Sequence, residues 1–90
     1  MKRLSNLVMF TSSQCSGCVT SKHMLSREGY SVEVVDVGSD KGMHLAYEHG
    51  IKALPTFLNK DTGETLDGSR PLAQLIELNG GDRVSNEFKD

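Results

Sequence analysis

Leu7-Val8-Met9-Phe10-Thr11-Ser12-Ser13-Gln14-Cys15-Ser16-Gly17-Cys18 is the stretch on which the reading of this chain turns. The apolar run Leu7 to Phe10 suits a buried central strand. Thr11 to Gln14 is polar and reads as the loop that follows it. Cys15 then opens a helix, and Cys18 stands one turn inside. Two cysteines at this spacing, at the start of a helix, can form a disulfide that opens and closes. They are the only cysteines in the chain. The four-residue motif alone is weak, because zinc sites use it too. Its surroundings decide.

Ninety residues make one small domain, with a core but little surplus stability. Residues 1–80 carry the patterned sequence, and 81–90 are polar and read as a loose tail. The net charge of −2 comes from interspersed acids and bases. Nucleic-acid binding, which needs a basic patch, is not expected. No apolar run is long enough for a membrane span. Met1 to Asn6 and the short run after it fall well below the roughly 7–15 apolar residues of a signal peptide core. A cytoplasmic protein is therefore expected. In a reducing compartment a paired C-x-x-C is more often redox-active or metal-binding than a static staple.

Beyond the motif, the helix runs from Cys15 to about Glu28. Cys18, Ser21 and Leu25 share one face, and Gly29 stops it. Ser31 to Val37 is rich in β-branched residues and reads as a strand. Gly38-Ser39-Asp40 is a loop, with Ser39 or Asp40 available to cap the next helix. That helix, about Lys41 to His49, is expected to bury Met43, Ala46 and Tyr47. Thr56 to Leu58 and Glu64 to Leu66 are two short strands around a turn at Asn59 to Gly63. Pro71 to Leu78 is a last helix with Leu72, Leu75 and Ile76 as its stripe. The order is β-α-β-α-β-β-α. It implies an α/β fold with a mixed four-stranded sheet and helices on both faces.

That order, with C-x-x-C between the first strand and first helix, resembles the thioredoxin fold. Ala53-Leu54-Pro55-Thr56-Phe57 resembles the cis-proline loop of thioredoxins and glutaredoxins. Gly29-Tyr30 with Val35-Asp36-Val37, and Cys18-Val19-Thr20-Ser21-Lys22, resemble glutaredoxin segments. Asp67-Gly68-Ser69-Arg70-Pro71 resembles the glutaredoxin-like redoxins that serve ribonucleotide reductase. There are departures. Gln14-Cys15-Ser16-Gly17-Cys18 replaces the Trp-Cys-Gly-Pro-Cys of thioredoxins, and Met9 stands where thioredoxins bury an aspartate. Ser12 stands near the glutaredoxin lysine that meets glutathione. Gly68-Ser69-Arg70 replaces the glutaredoxin Gly-Gly and its following acids.

The chemistry follows from the helix start. Unpaired N–H groups and the positive end of the helix dipole stabilise a thiolate, so Cys15 is the expected nucleophile. It attacks a substrate disulfide. Cys18 then attacks Cys15 and releases the reduced substrate. Gly17 permits the tight backbone between them. The resemblance implies that Pro55 is cis and faces the disulfide, with the backbone of Leu54 pairing an extended substrate. Ser12, Gln14, Ser16, Gly17, Leu54, Pro55, Gly68, Ser69 and Arg70 form the expected substrate-binding set. Arg70 is a candidate partner for a carboxylate on a protein substrate.

Competing readings are local. His44 and His49 complete a Cys-Cys-His-His set, but the gap between the pairs is far longer than the usual ~12–15 residues. Ser69 can instead cap the last helix, with Arg70 solvated. Lys22 and His23 read as ordinary helix-surface residues. The expected function is a small dithiol-disulfide oxidoreductase acting on protein disulfides, with ribonucleotide reductase as the acceptor the resemblance suggests. No bound cofactor is expected. The electron source is thioredoxin reductase or glutathione, and the departures at Ser12 and Gly68-Ser69-Arg70 favour the reductase. The protein is expected to be a monomer. The alternatives are a non-catalytic binding module of the same fold and a zinc-binding domain.

Overall fold

The computed structural model describes residues 2–80. Met1 and the tail expected over 81–90 lie outside the described residues. Seven elements follow the expected order. They are β1 (Lys2–Thr11), α1 (Ser16–Arg27), β2 (Tyr30–Asp36), α2 (Asp40–Glu48), β3 (Thr56–Asn59), β4 (Thr65–Asp67) and α3 (Leu72–Leu78). The sheet order is β2-β1-β3-β4. β1 pairs parallel with β2 and antiparallel with β3, and β3 pairs antiparallel with β4. The sheet is mixed and four-stranded, as the element order implies.

Alternation along β1 builds two cores. Leu7 and Met9 point to one face, with Phe57 of β3, Cys18 and Leu25 of α1, and Leu75 of α3. Val8 and Phe10 point to the other, with Leu58 and Ala46 of α2. Successive strand side chains take opposite faces, so one strand buried on both sides needs the continuous apolar run seen at 7–10. Phe10 and Phe57 are almost wholly buried. Each side chain of that class contributes about 1.5–3 kcal/mol by leaving water.

β1 starts earlier than its apolar run suggests. Ser5 and Asn6 interrupt the pattern because the register against β2 shifts between Arg3 and Val8. The irregularity changes the parity, so Leu4 and Leu7 fall on one face. The polar residues there are tied down. Asn6 N–H donates to Asn79 Oδ1 at 2.9 Å, and Asn6 Nδ2 donates to the Asn79 carbonyl at 2.9 Å. Asn59 Nδ2 donates to the Leu78 carbonyl at 2.7 Å. These bonds pin the end of α3 to the middle of β1 and the end of β3.

α2 corrects the expected buried stripe. Met43 is 56% exposed and Tyr47 88% exposed; Gly42 and Ala46 are the buried residues. The reason lies at the helix start. Ser39 caps α2, accepting from Gly42 N–H at 3.0 Å and donating to the Asp36 carbonyl at 2.7 Å. That draws the first turn onto the end of β2. A Cβ on Gly42 would collide with the Asp36 carbonyl. The helix thus packs through Gly42, Ala46 and half-buried Leu45, and Met43 and Tyr47 face outward.

Candidate redox site

Cys15 is the N-cap of α1, with extended backbone at φ −112°, ψ 104°. It is joined to Cys18 by a disulfide, with the Cα atoms 5.2 Å apart. Cys15 is half-buried, whereas Cys18 is 1% exposed within the α1–α3 core. One sulfur is thus reachable and the other covered. Cys15 Sγ also accepts the Cys18 backbone N–H at 3.1 Å. A side-chain acceptor at the N-cap meets a donor that the helix cannot pair itself. The same N–H would bond a thiolate at this position more strongly, because a hydrogen bond to a charged acceptor is the stronger one. No acidic residue lies in the first turn of α1 to oppose that charge.

Two loops close on the motif from across the sheet. The Leu54–Pro55 peptide is cis, as the resemblance implies, and Pro55 is fully buried. The loop after β4 is bound to the same place. Gly68, at φ +84°, donates its N–H to the Pro55 carbonyl at 2.7 Å. Ser69 Oγ donates to the Gly17 carbonyl at 3.2 Å. Gly17 sits between the two loops. A Cβ there would lie 3.2 Å from Pro55 Cδ and 3.3 Å from Ser69 Oγ, tighter than ordinary contact. Close approach of the two loops favours glycine here, where the sequence suggested a backbone requirement.

Cys15, Cys18, Gly17, Pro55, Gly68 and Ser69 are therefore one cluster. Leu54 joins it through its peptide and packs against both cores. Ser16 and Gln14 are exposed beside it. Half-buried Ser12 accepts Gln14 N–H at 3.4 Å and so shapes the approach loop. Arg70 is turned into its own loop. Its Nε donates to the Asp67 carbonyl at 2.7 Å, Nη2 to Asp67 Oδ1 at 3.2 Å, and Nη1 to Gln74 Oε1 at 3.4 Å. The Ser69 hydroxyl is not a helix cap, since Pro71 holds the N-cap of α3 without a side-chain bond. Lys22 and His23 are exposed on α1.

His44 and His49 belong to α2 and its C-cap, which packs on the face opposite α1. The sheet stands between them and the cysteines. Among the described residues, no group of three or more His, Cys, Asp or Glu is placed to hold a metal ion. No helix of the described residues is long and apolar enough to cross a membrane.

Comparison with solved structures identifies the fold. A glutaredoxin from Methanosarcina mazei Go1 is 21% identical, with a TM-score of 0.67 over 87% of this chain and 81% of that one. Malassezia sympodialis thioredoxin is 22% identical, with a TM-score of 0.63 over 82% and 74%. Methanosarcina acetivorans methanoredoxin is 22% identical, with a TM-score of 0.62 over 89% and 95%. No family model and no curated protein matches the sequence. The chain has the thioredoxin fold, with a Cys-x-x-Cys disulfide at the position where its sequence resembles redoxins.

Proposed function

We propose that this protein is a dithiol-disulfide oxidoreductase of the glutaredoxin-like type, which reduces disulfides in protein substrates. The observation that carries this is the asymmetry of the pair. Cys15 is reachable, caps a helix and accepts an N–H from its first turn, while Cys18 is buried beneath it. Cys15 attacks the substrate disulfide and forms a mixed disulfide. Cys18 attacks Cys15, and the reduced substrate leaves. Pro55 and the backbone of Leu54 form the wall along which an extended substrate segment lies. Ser12, Gln14, Ser16, Gly68 and Ser69 surround the approach, and Arg70 lies at its far edge.

Electrons come from outside, with no bound cofactor. Thioredoxin reductase is favoured over glutathione. In support, the Ser69 hydroxyl and the Arg70 guanidinium, at the place where glutaredoxins bind glutathione, are engaged by Gly17, Asp67 and Gln74. A monomer in the cytoplasm serving an acceptor such as ribonucleotide reductase fits this reading. The test is insulin disulfide reduction by the purified protein, with NADPH and either thioredoxin reductase or glutathione plus glutathione reductase. Turnover that requires Cys15 supports the reading. Binding of a partner by the Cys15→Ser variant, with no reduction by the native protein under either system, overturns it in favour of a binding module.

A further inference from the structure

Ser21 lies on the buried face of α1 with Cys18 and Leu25, and is 2% exposed. Among the described residues its hydroxyl is the one buried side-chain polar group without a hydrogen-bond partner. Buried polar groups are nearly always paired, so such an exception calls for a cause. A helical serine ordinarily returns its hydroxyl to the carbonyl four residues back. Here that carbonyl is Gly17's. It already receives the Ser69 hydroxyl, besides the Ser21 amide that helical geometry directs to it. A carbonyl oxygen has two lone pairs, and both are then occupied.

A different candidate partner lies on the same buried face of the helix. Cα–Cβ bonds tilt toward the helix N-terminus, and residues three apart are neighbours on one face. Ser21 therefore leans toward the turn that carries Cys18. Cys18 lies in an apolar cluster with Leu7, Met9 and Phe57, and among the described residues no Asp, Glu, His, Lys or Arg is buried beside it. A disulfide sulfur asks little of a donor, whereas a buried thiolate asks much.

We propose that Ser21 donates a hydrogen bond to Cys18 Sγ in the reduced protein, and serves as a catalytic group in the step that resolves the mixed disulfide. This assignment rests on the oxidoreductase reading. In that step Cys18 gives up its proton, and its sulfur attacks Cys15 Sγ. The Cys15–Cys18 bond forms as the bond between Cys15 and the substrate sulfur breaks. The substrate sulfur leaves with the electron pair and takes up a proton. Over the whole cycle two electrons pass from the protein dithiol to the substrate disulfide. The Ser21 hydroxyl steadies the Cys18 thiolate through the attack and is left without a partner once the new disulfide forms. The unpaired hydroxyl of the oxidised structure is that end point.

The test compares Ser21→Ala and Ser21→Thr with the native protein in both redox states. Equilibration in glutathione redox buffers gives the potential, thermal melting gives the stability of each state, and single-turnover kinetics give the resolution rate. Ser21→Ala is expected to raise the melting temperature of the oxidised form only. It shifts the equilibrium toward the disulfide by three- to tenfold, tenfold being about 30 mV for a two-electron couple. Resolution slows by a similar factor. Ser21→Thr, which keeps the hydroxyl, stays within about twofold of native, or ~0.4 kcal/mol in the barrier. Equal melting shifts in both states, with the potential and resolution rate unchanged, remove Ser21 from the mechanism. A native protein that forms no reversible couple overturns the oxidoreductase reading and this assignment together. A normal native couple that Ser21→Ala leaves untouched overturns this assignment alone.

Discussion

The middle of β1 and the segment beyond its C-terminal end handle polar groups in opposite ways. Midway along the strand, the Asn6 amide meets the Asn79 side chain, Asn6 Nδ2 meets the Asn79 backbone, and Asn59 meets the end of α3. Asn79 is completely buried there, and its side chain is paired. Past the strand's C-terminal end, the Cys15 sulfur takes one backbone N–H, and the Ser21 hydroxyl beneath takes none. Both regions join α3 or its leading loop to the rest of the fold. Paired amides give a fixed junction, whereas sulfurs with spare hydrogen-bonding capacity give one that can change partners. The asparagines fix the junction, and the cysteines carry the proposed chemistry.

This contrast is open to attack by substitution, and the largest expected effect is at the sulfurs. Cys15→Ser removes the attacking atom, so insulin reduction should fall to background. Cys18→Ser leaves nothing to resolve the intermediate. A covalent adduct between Cys15 and the substrate should then accumulate and be visible by mass spectrometry. Equal alkylation rates at Cys15 and Cys18 in the reduced protein at neutral pH would contradict the division of labour.

At the other region the effect should appear in stability instead of rate. Asn79→Ala removes a buried side chain and strands the half-buried Asn6 backbone amide, a loss of about 1–3 kcal/mol. Urea unfolding should show that loss, while the rate of disulfide reduction at a temperature where the variant is folded stays near native. A fall in rate without a fall in stability would break the separation of roles.

A smaller effect is expected at Gly17. Gly17→Ala pushes a Cβ against Pro55 and Ser69, so the two loops must give by a few tenths of an ångström. Substrate reduction should slow several-fold, which is roughly 1 kcal/mol in the barrier. Alanine is also the better helix former by about 1 kcal/mol, so unfolding should not reveal the defect. Stopped-flow rates beside urea midpoints would decide it. Smallest of all is Tyr47→Ser on the outer face of α2, where a change within about 0.5 kcal/mol is expected.

What was legible in the sequence was local or periodic. The apolar run at 7–10, the glycine stop at Gly29 and the cap at Ser39 all concern neighbouring residues. Cys15 and Cys18 were legible for the same reason, since the apolar run before them and the helical pattern after them put one at a helix start and the other a turn inside. Contacts made across the fold were not. Ser69 and Gly17 lie far apart in sequence, and only the meeting of the β4–α3 loop with α1 joins them. Asn6 and Asn79 look like loop residues until the shift in β1 register brings them together. Hydrophobicity misled at α2, where Gly42 and Ala46 set the packing and left Met43 and Tyr47 outside. Arg70 looked free in the sequence and proves bound to Asp67 and Gln74.

The most direct test of the central claim is the reduction potential of the Cys15–Cys18 pair, by equilibration with glutathione redox buffers and mass spectrometry of the alkylated forms. A reversible two-electron couple at about −200 mV or lower is expected for a donor to protein disulfides. A couple near −120 mV would make the protein an oxidant and reverse the proposed electron flow. Failure to form the disulfide reversibly would contradict the redox account altogether.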